Sequence, residues 1–431
     1  MSRAIHILCV TLVVALASAA FGATYYVSTT GNDSWPGTQA QPWATLQHAV
    51  DTIAAGDTIL VLPGTYAGCK ATLSGASGAP KTLMAQTAGT VLVNTPSPIS
   101  SRLSGIEIQN TDGTTPVNYW VVDGFEITSI PRYGIDARAA NYLTVRNCTA
   151  HNNGATYGAT GIYSSRGNYV LIENNTSYSN AEHGFYVCNS ADNGTVRANV
   201  SYSNTSLGFH MNGDVTMGGD GIMSGWLLEK NKSYNNGSSA FDADGVETST
   251  WRNNLGWGNP GKGVQVTGVD GAITSRNNRI LNNTLLLPTA GYYVINIRVA
   301  SRKKPAPVGN KIFNNILYHY STATNRGSIC IAASGYPNFE SNYNVVMQYF
   351  GEDDNKKIYT FAQWRAKGYD LNSIQAADTA LFVNPSGNDY HLKSTSPAKD
   401  AGTTLSDVTD DLEGVSRPQG TAYDIGCYEY H

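Results

Sequence analysis

The chain is poor in charge. Only 14% of its 431 residues are Asp, Glu, Lys or Arg, the net charge is −4, and no basic block occurs. Nucleic-acid binding needs a concentrated Lys/Arg surface, so the composition argues against it. Cysteine is scarce too: six residues, scattered and without CxxC spacing. A disulfide framework or zinc site is not expected, and Cys69, Cys148, Cys188, Cys330 and Cys427 read as small buried hydrophobes. After the N-terminus no long apolar run follows, so no membrane span is expected. The first residues, MSRAIHILCVTLVVALASAAFGA, combine an early arginine, an apolar run and small residues at a cleavage site. They predict a secretory signal over residues 1–22 and an exported product, extracellular or periplasmic.

What the chain has in quantity is glycine (44), tyrosine (26) and asparagine. From residue 118 a unit recurs in which Asn follows a β-rich run: NYLTVRNCTAHNNG, NYVLIENNTSYSN, TVRANVSYSN, WLLEKNKSYNNG, TWRNNLGWGN, RILNNTLLL and KIFNNILYH. The spacing, mostly in the twenties, fits one coil of a solenoid. Asn147, Asn174, Asn199, Asn231, Asn253, Asn282 and Asn314 at one bend of stacked coils predict an amide ladder. That period explains NNT, NVS and NKS better than glycosylation does. Arg146, Glu173, Lys230 and Arg252 precede these residues and predict a mixed-sign outer ladder, which argues against a catalytic Lys230.

The ends differ. Residues 23–60 read as an N-terminal cap, with helical spacing between Trp43 and Ile53 that would cover an open sheet edge. Residues 61–345 carry the coils. Residues 346–431 hold a polar loop, a short helix and a closing segment braced by Asp400, Asp411, Arg417 and Asp424. The pattern YYVS-x-x-GND-x-x-PGT, then PW-A-TLQ-A, then GDTI-V-PGTY resembles the N-terminal region of secreted bacterial right-handed parallel β-helix proteins, the pectate-lyase-like group. The resemblance implies an all-β solenoid with a helical cap, and says more about fold than about reaction.

A second strand follows each Asn segment: GIYSSR, GFYVCN, GFHMNGD, AFDADG, GVQVTG, VINIRV and ICIAA. Alternation sends Ile162, Phe185, Phe209, Phe241, Val264, Ile295 and Ile329 inward. One outward column is then Tyr163, Tyr186, His210, Asp242, Gln265, Asn296 and Cys330; a second is Ser165, Cys188, Asn212, Asp244, Thr267 and Arg298. Residues 208–245 stand apart, because only there do the outward positions turn acidic and histidine-bearing. Asp242 and Asp244 share one face of a strand, about 6.8 Å apart along the backbone. His210 and Asn212 lie one coil away, Asp214 and Asp220 in the adjoining insertion, and Glu247 after the DG turn. So many carboxylates repel unless a proton or cation intervenes.

These residues predict a polysaccharide-processing centre. Asp242, Asp244, His210 and Arg298 are the catalytic candidates, and Asn212, Gln265, Tyr186 and Tyr163 the sugar contacts. FDADGV and the GGDG insertion resemble the calcium sites of β-helix pectate lyases. That resemblance implies Ca²⁺ held by Asp214, Asp220, Asp244 and Glu247, and a lyase acting on a uronic-acid polymer. A lysine base is absent from both outward columns. Arg298 is the only basic residue there, and Lys262 or His210 is an alternative base. DADG also resembles the N-x-D segment of β-helix polygalacturonases, which implies a hydrolase with one protonated and one ionised acid. A non-catalytic carbohydrate-binding protein is the third reading. A monomer is expected.

Overall fold

The computed structural model describes residues 22–154, 158–301 and 303–431. The expected signal segment lies outside them, apart from Gly22. The described residues form three long sheets wound as a right-handed parallel β-helix. Sheet A has twelve strands, from Thr24–Val27 to Glu340–Asn342. Sheet B has ten, from Gly64–Ala67 to Ile316–His319, and sheet C twelve, from Cys69–Ala71 to Lys357–Thr360. Each coil gives one strand to each sheet in turn, so that residues far apart in sequence stack at the inter-strand spacing of about 4.8 Å. Phe185, Phe209 and Phe241 show the result: their rings stack in the core with centroids 4.7 and 5.1 Å apart.

Asparagine works in pairs at the bend between sheets A and B. The first of each pair, as at Asn174, Asn253, Asn282 and Asn314, takes a left-handed backbone conformation with φ between +50° and +58°, which Asn tolerates better than most residues. The second turns inward and builds the ladder: Asn175, Asn199, Asn231, Asn254, Asn283, Asn315 and Asn344. This corrects the sequence reading, which placed Asn147, Asn174, Asn253, Asn282 and Asn314 in the ladder and was right for Asn199 and Asn231. Asn175 is typical. Its amide donates to Asn199 Oδ1 at 3.0 Å and to the Val145 carbonyl at 2.9 Å. A second ladder, unread in the sequence, runs through Asn153, Asn180, Asn204, Asn236 and Asn259. These amides are buried, and each one left unpaired would cost about 1–3 kcal/mol.

The outer charge ladder is Arg146, Glu173, Arg197, Glu229 and Arg252 in register. Lys230 stands one residue past it, in a left-handed turn, and binds Asp410. Sheet A begins at Thr24, inside the segment read as cap, and helix Leu46–Thr52 closes the core with Leu46, Ala49 and Val50. Thr45 caps that helix by accepting from the His48 N–H. At the other end, helix Phe361–Ala366 stacks Trp364 on Phe350. The last residues return along the outside and pack Leu381, Phe382, Tyr390 and Leu392 against Leu255, Leu286 and Ile316. A fully buried Arg417–Glu429 pair at 2.6 Å holds this closure. Asp411 and Asp424 accept backbone N–H groups around it. Five cysteines are buried and free among the described residues. No helix there is long and apolar enough to cross a membrane.

Candidate functional site

The outward columns of sheet C form in the expected register. Tyr163, Tyr186, His210, Asp242, Gln265, Asn296 and Cys330 are successive partners, as are Ser165, Cys188, Asn212, Asp244 and Thr267. Arg298 follows the last paired residue of its strand, and its N–H donates to the Val266 carbonyl. What alternation does not reveal is what covers each position.

Asp242 and Asp244 have different surroundings. Asp244 accepts N–H groups from Val269, Asp270 and Gly271 at 2.9, 3.1 and 2.9 Å. The turn that offers them needs glycine: Gly245 has φ +69°, and a Cβ on Gly271 would lie 2.4 Å from the Gly245 Cα. Burial raises the Asp244 pKa and the amides oppose the rise. Asp242 has no such cradle. His210 Nε2 is 3.8 Å from its Oδ1. Burial, and then the charges of Asp244 and Asp270, push its pKa up to about 8, against a downward pull from Lys262. Asp242 therefore carries a proton at neutral pH.

His210 stacks on Tyr186, with centroids 4.5 Å apart and planes 12° apart, and meets His183 edge-on at 4.9 Å. Burial, reinforced by His183, drops the His210 pKa well below the usual histidine range, so the ring is neutral. Its Nδ1 is buried and, among the described residues, without a hydrogen-bond partner. His183, lowered to about 4 by burial, accepts the Leu207 N–H at Nδ1. Asn212 donates to the Tyr186 hydroxyl at 3.1 Å and to Asp270 at 3.2 Å.

Lys262 completes the cluster. Burial lowers its pKa, the Asp242 charge offsets part of that, and Arg298 adds to it. Lys262 was legible as an alternative base; its place beside Asp242 was not. The signal was the residue before each Gly or Ala that opens a sheet C strand: His183, Leu207, Ser239 and Lys262 are successive, each bridged to the next by the following residue's N–H. His183 and Asp270 are neighbours the sequence reading did not single out. Arg298 is half-exposed and faces Asp354 at 3.5 Å. Gln265 is half-buried beside Asp242 in the column.

Two sets of expected residues have surroundings that alternation did not reveal. Tyr163 is no open sugar platform: one face stacks on Tyr133 at 4.6 Å, the Arg138 guanidinium lies 4.4 Å from its ring centre, and it is buried. The four expected metal ligands do not gather. Glu247 pairs with Arg276 at 2.9 Å, Asp214 and Asp220 accept from their own turns, and Asp244 is held by three amides. Among the described residues no group of three or more His, Cys, Asp or Glu is placed to hold a metal ion.

The sequence pattern of the Pel9A-like right-handed β-helix region matches residues 25–297, and the chain belongs to that family. Among solved structures, pectate lyase Pel9A superposes with a TM-score of 0.63 at 17% identity, covering 95% of this chain and 96% of that one. An alginate lyase from Paenibacillus sp. str. FPU-7 gives 0.51 at 19% identity over 70% and 97%. XylC in complex with xylose gives 0.54 at 11% identity over 95% and 98%. At these identities the likeness is one of fold. No curated protein sequence matches the chain.

Proposed function

We propose that this protein is a secreted lyase that cleaves a uronic-acid-containing polysaccharide by β-elimination at the His210–Asp242–Lys262 cluster. The observation that carries the reading is the pairing of opposite proton roles in one place. Lys262 is a half-buried amine whose basicity is reduced, and beside it Asp242 is a carboxyl that keeps its proton at neutral pH. Burial brings the proton affinities of the two groups toward one another and toward the working pH, where a proton donor and a proton acceptor are most effective.

In the reaction, Lys262, once it has lost its own proton, takes the proton from the carbon next to the uronate carboxylate. The electron pair forms a carbon–carbon double bond and expels the glycosidic oxygen, which takes the Asp242 proton. Lys262 is left as ammonium and Asp242 as carboxylate, and loss of one proton to solvent and uptake of the other from it restore the starting state. Arg298 pairs the substrate carboxylate, which makes that proton easier to remove. Gln265, Asn212 and Tyr186 contact the sugar. A fold shared with a pectate lyase and an alginate lyase supports an acidic glycan. Hydrolysis by an Asp242/Asp244 pair is less supported, because the Asp244 carboxylate is committed to three amides.

The test is a panel of pectin, alginate, glucuronan and neutral glycans, each with and without chelator, followed by the ultraviolet absorbance of unsaturated uronate products. Absorbance on one acidic polymer is expected. Reducing ends without absorbance would replace elimination by hydrolysis, and binding without cleavage would leave a lectin-like protein.

A further inference from the structure

We infer that the cluster lies in a blind pocket that receives the end of a glycan chain, so that the enzyme acts from chain ends and not within chains. This rests on the elimination reading and adds the mode of attack.

The outward face of sheet C is not an open trough. On its N-terminal side Glu107 and Asp136 are 0% exposed and Arg138 2%. There Tyr133, stacked on Tyr163 with Arg132 against it at 4.8 Å, seals the face. On the C-terminal side Asn296 is 2% exposed and Cys330 1%. Asn355 covers this end, tied by its amide to the Tyr292 hydroxyl at 2.9 Å and by its Oδ1 to the Tyr293 hydroxyl at 2.6 Å. Arg326 packs on Tyr292 at 5.1 Å.

Between these walls the first-column residues Tyr186, His210 and Gln265 are partly open among the described residues, and Asp242, between the last two, is buried; they stand on four successive strands, Phe185–Cys188, Phe209–Asn212, Phe241–Asp244 and Val264–Thr267. Three inter-strand steps give an opening about 14 Å long. That length takes a few sugar units. A continuous chain laid along the solenoid axis would have to rise over both walls, away from Asp242. The loops after Phe209–Asn212, Val264–Thr267 and the next strand, Tyr293–Ile297, also join into one rim: the Val215 N–H donates to the Asp270 carbonyl, and Lys304 Nζ to the Val269 carbonyl.

Two measurements test this. The first is the size distribution and viscosity of the cleaved polymer over time. A single short product from the earliest time point, with viscosity falling only in proportion to the bonds cut, is expected. A ladder of intermediate sizes with early collapse of viscosity would overturn the inference and leave the elimination chemistry standing. The second uses the Asp242→Asn protein and oligouronates of increasing length. Affinity is expected to level off at three or so units. A gain of about tenfold for each further pair of units, worth about 1.4 kcal/mol, would show a through-groove and overturn the inference. No cleavage and no binding of any glycan would sink the proposed function, and this inference with it.

Discussion

Two stretches of one sheet face carry ionisable side chains in the same columns, and they differ in almost everything else. In the N-terminal stretch, Arg138 Nε meets Asp136 Oδ1 at 2.8 Å, Ser104 donates to Asp136 at 3.1 Å, and Gln109 donates to Glu107 at 2.8 Å. This cluster is sealed from water. In the central stretch, among the described residues, His210 Nδ1 has no hydrogen-bond partner and Asp242 has no Lys or Arg within ion-pair distance, and Lys262 is held below its usual basicity among them. Burial is common to both. Ion pairing and access separate them: in the sealed stretch Arg138 pairs with Asp136 and every first-column position is buried, while the central groups stand among the partly open Tyr186, His210 and Gln265. A perturbed pKa points to chemistry only where a substrate can reach it.

The sharpest way to break that contrast is at the central lysine. Lys262→Ala is expected to lower kcat by about a hundredfold to ten-thousandfold, the usual value of a positioned acid or base, with the circular dichroism unchanged. Turnover within a few-fold of wild type would remove the base. Asp242→Asn is expected to lose activity on the same scale while becoming more stable at high pH. The sign follows from proton binding. The folded pKa of about 8 lies above the ordinary 3.8, so the folded state holds an extra proton between those values and stability falls as pH rises through that window. Asn cannot ionise, so denaturant melts at pH 8 should favour the variant by up to about 5 kcal/mol, and melts at pH 4 by little. A variant less stable at both pH values would mean that Asp242 is a structural acceptor.

The sealed stretch should answer in the opposite way. Arg138→Met leaves Asp136 buried without its partner and is expected to cost about 3–5 kcal/mol of stability, with kcat of the folded protein unchanged. Asp244→Asn belongs with it. It weakens three charge-assisted hydrogen bonds, for about 1–3 kcal/mol, and lowers kcat much less than Asp242→Asn does. If the two aspartate variants lose activity equally, the division between them fails. The smallest effect expected is that of a chelator, about twofold at most, since the four candidate carboxylates are otherwise engaged. A large loss restored by Ca²⁺ would reinstate the calcium-assisted reading of the sequence.

The sequence made the scaffold legible because a solenoid repeats. One alternation, read across seven strands, sufficed to set His210 against Asp242 and Asn212 against Asp244, and the structure has both pairs in register. Alternation reports direction but not cover. Tyr163 faces outward as expected, yet Tyr133 and Arg138 lie over it. Asp244 points the same way as Asp242, yet a glycine turn 25 residues on captures its carboxylate. Lys262 escaped both columns because it stands at the bend before its strand, where the coil and not the pleat decides the direction. The Asn pairs misled for a similar reason. Two adjacent identical residues share one bend and take opposite tasks, and only the backbone conformation tells which turns inward.

The central claim is that bond cleavage is an elimination run by Lys262 and Asp242, and the oxygen balance of the products tests it most directly. Digestion of the active substrate in water enriched in heavy oxygen should yield unsaturated chain ends with no label in either fragment. One heavy oxygen incorporated for every bond broken would make water the second reactant, and elimination by this pair would be refuted.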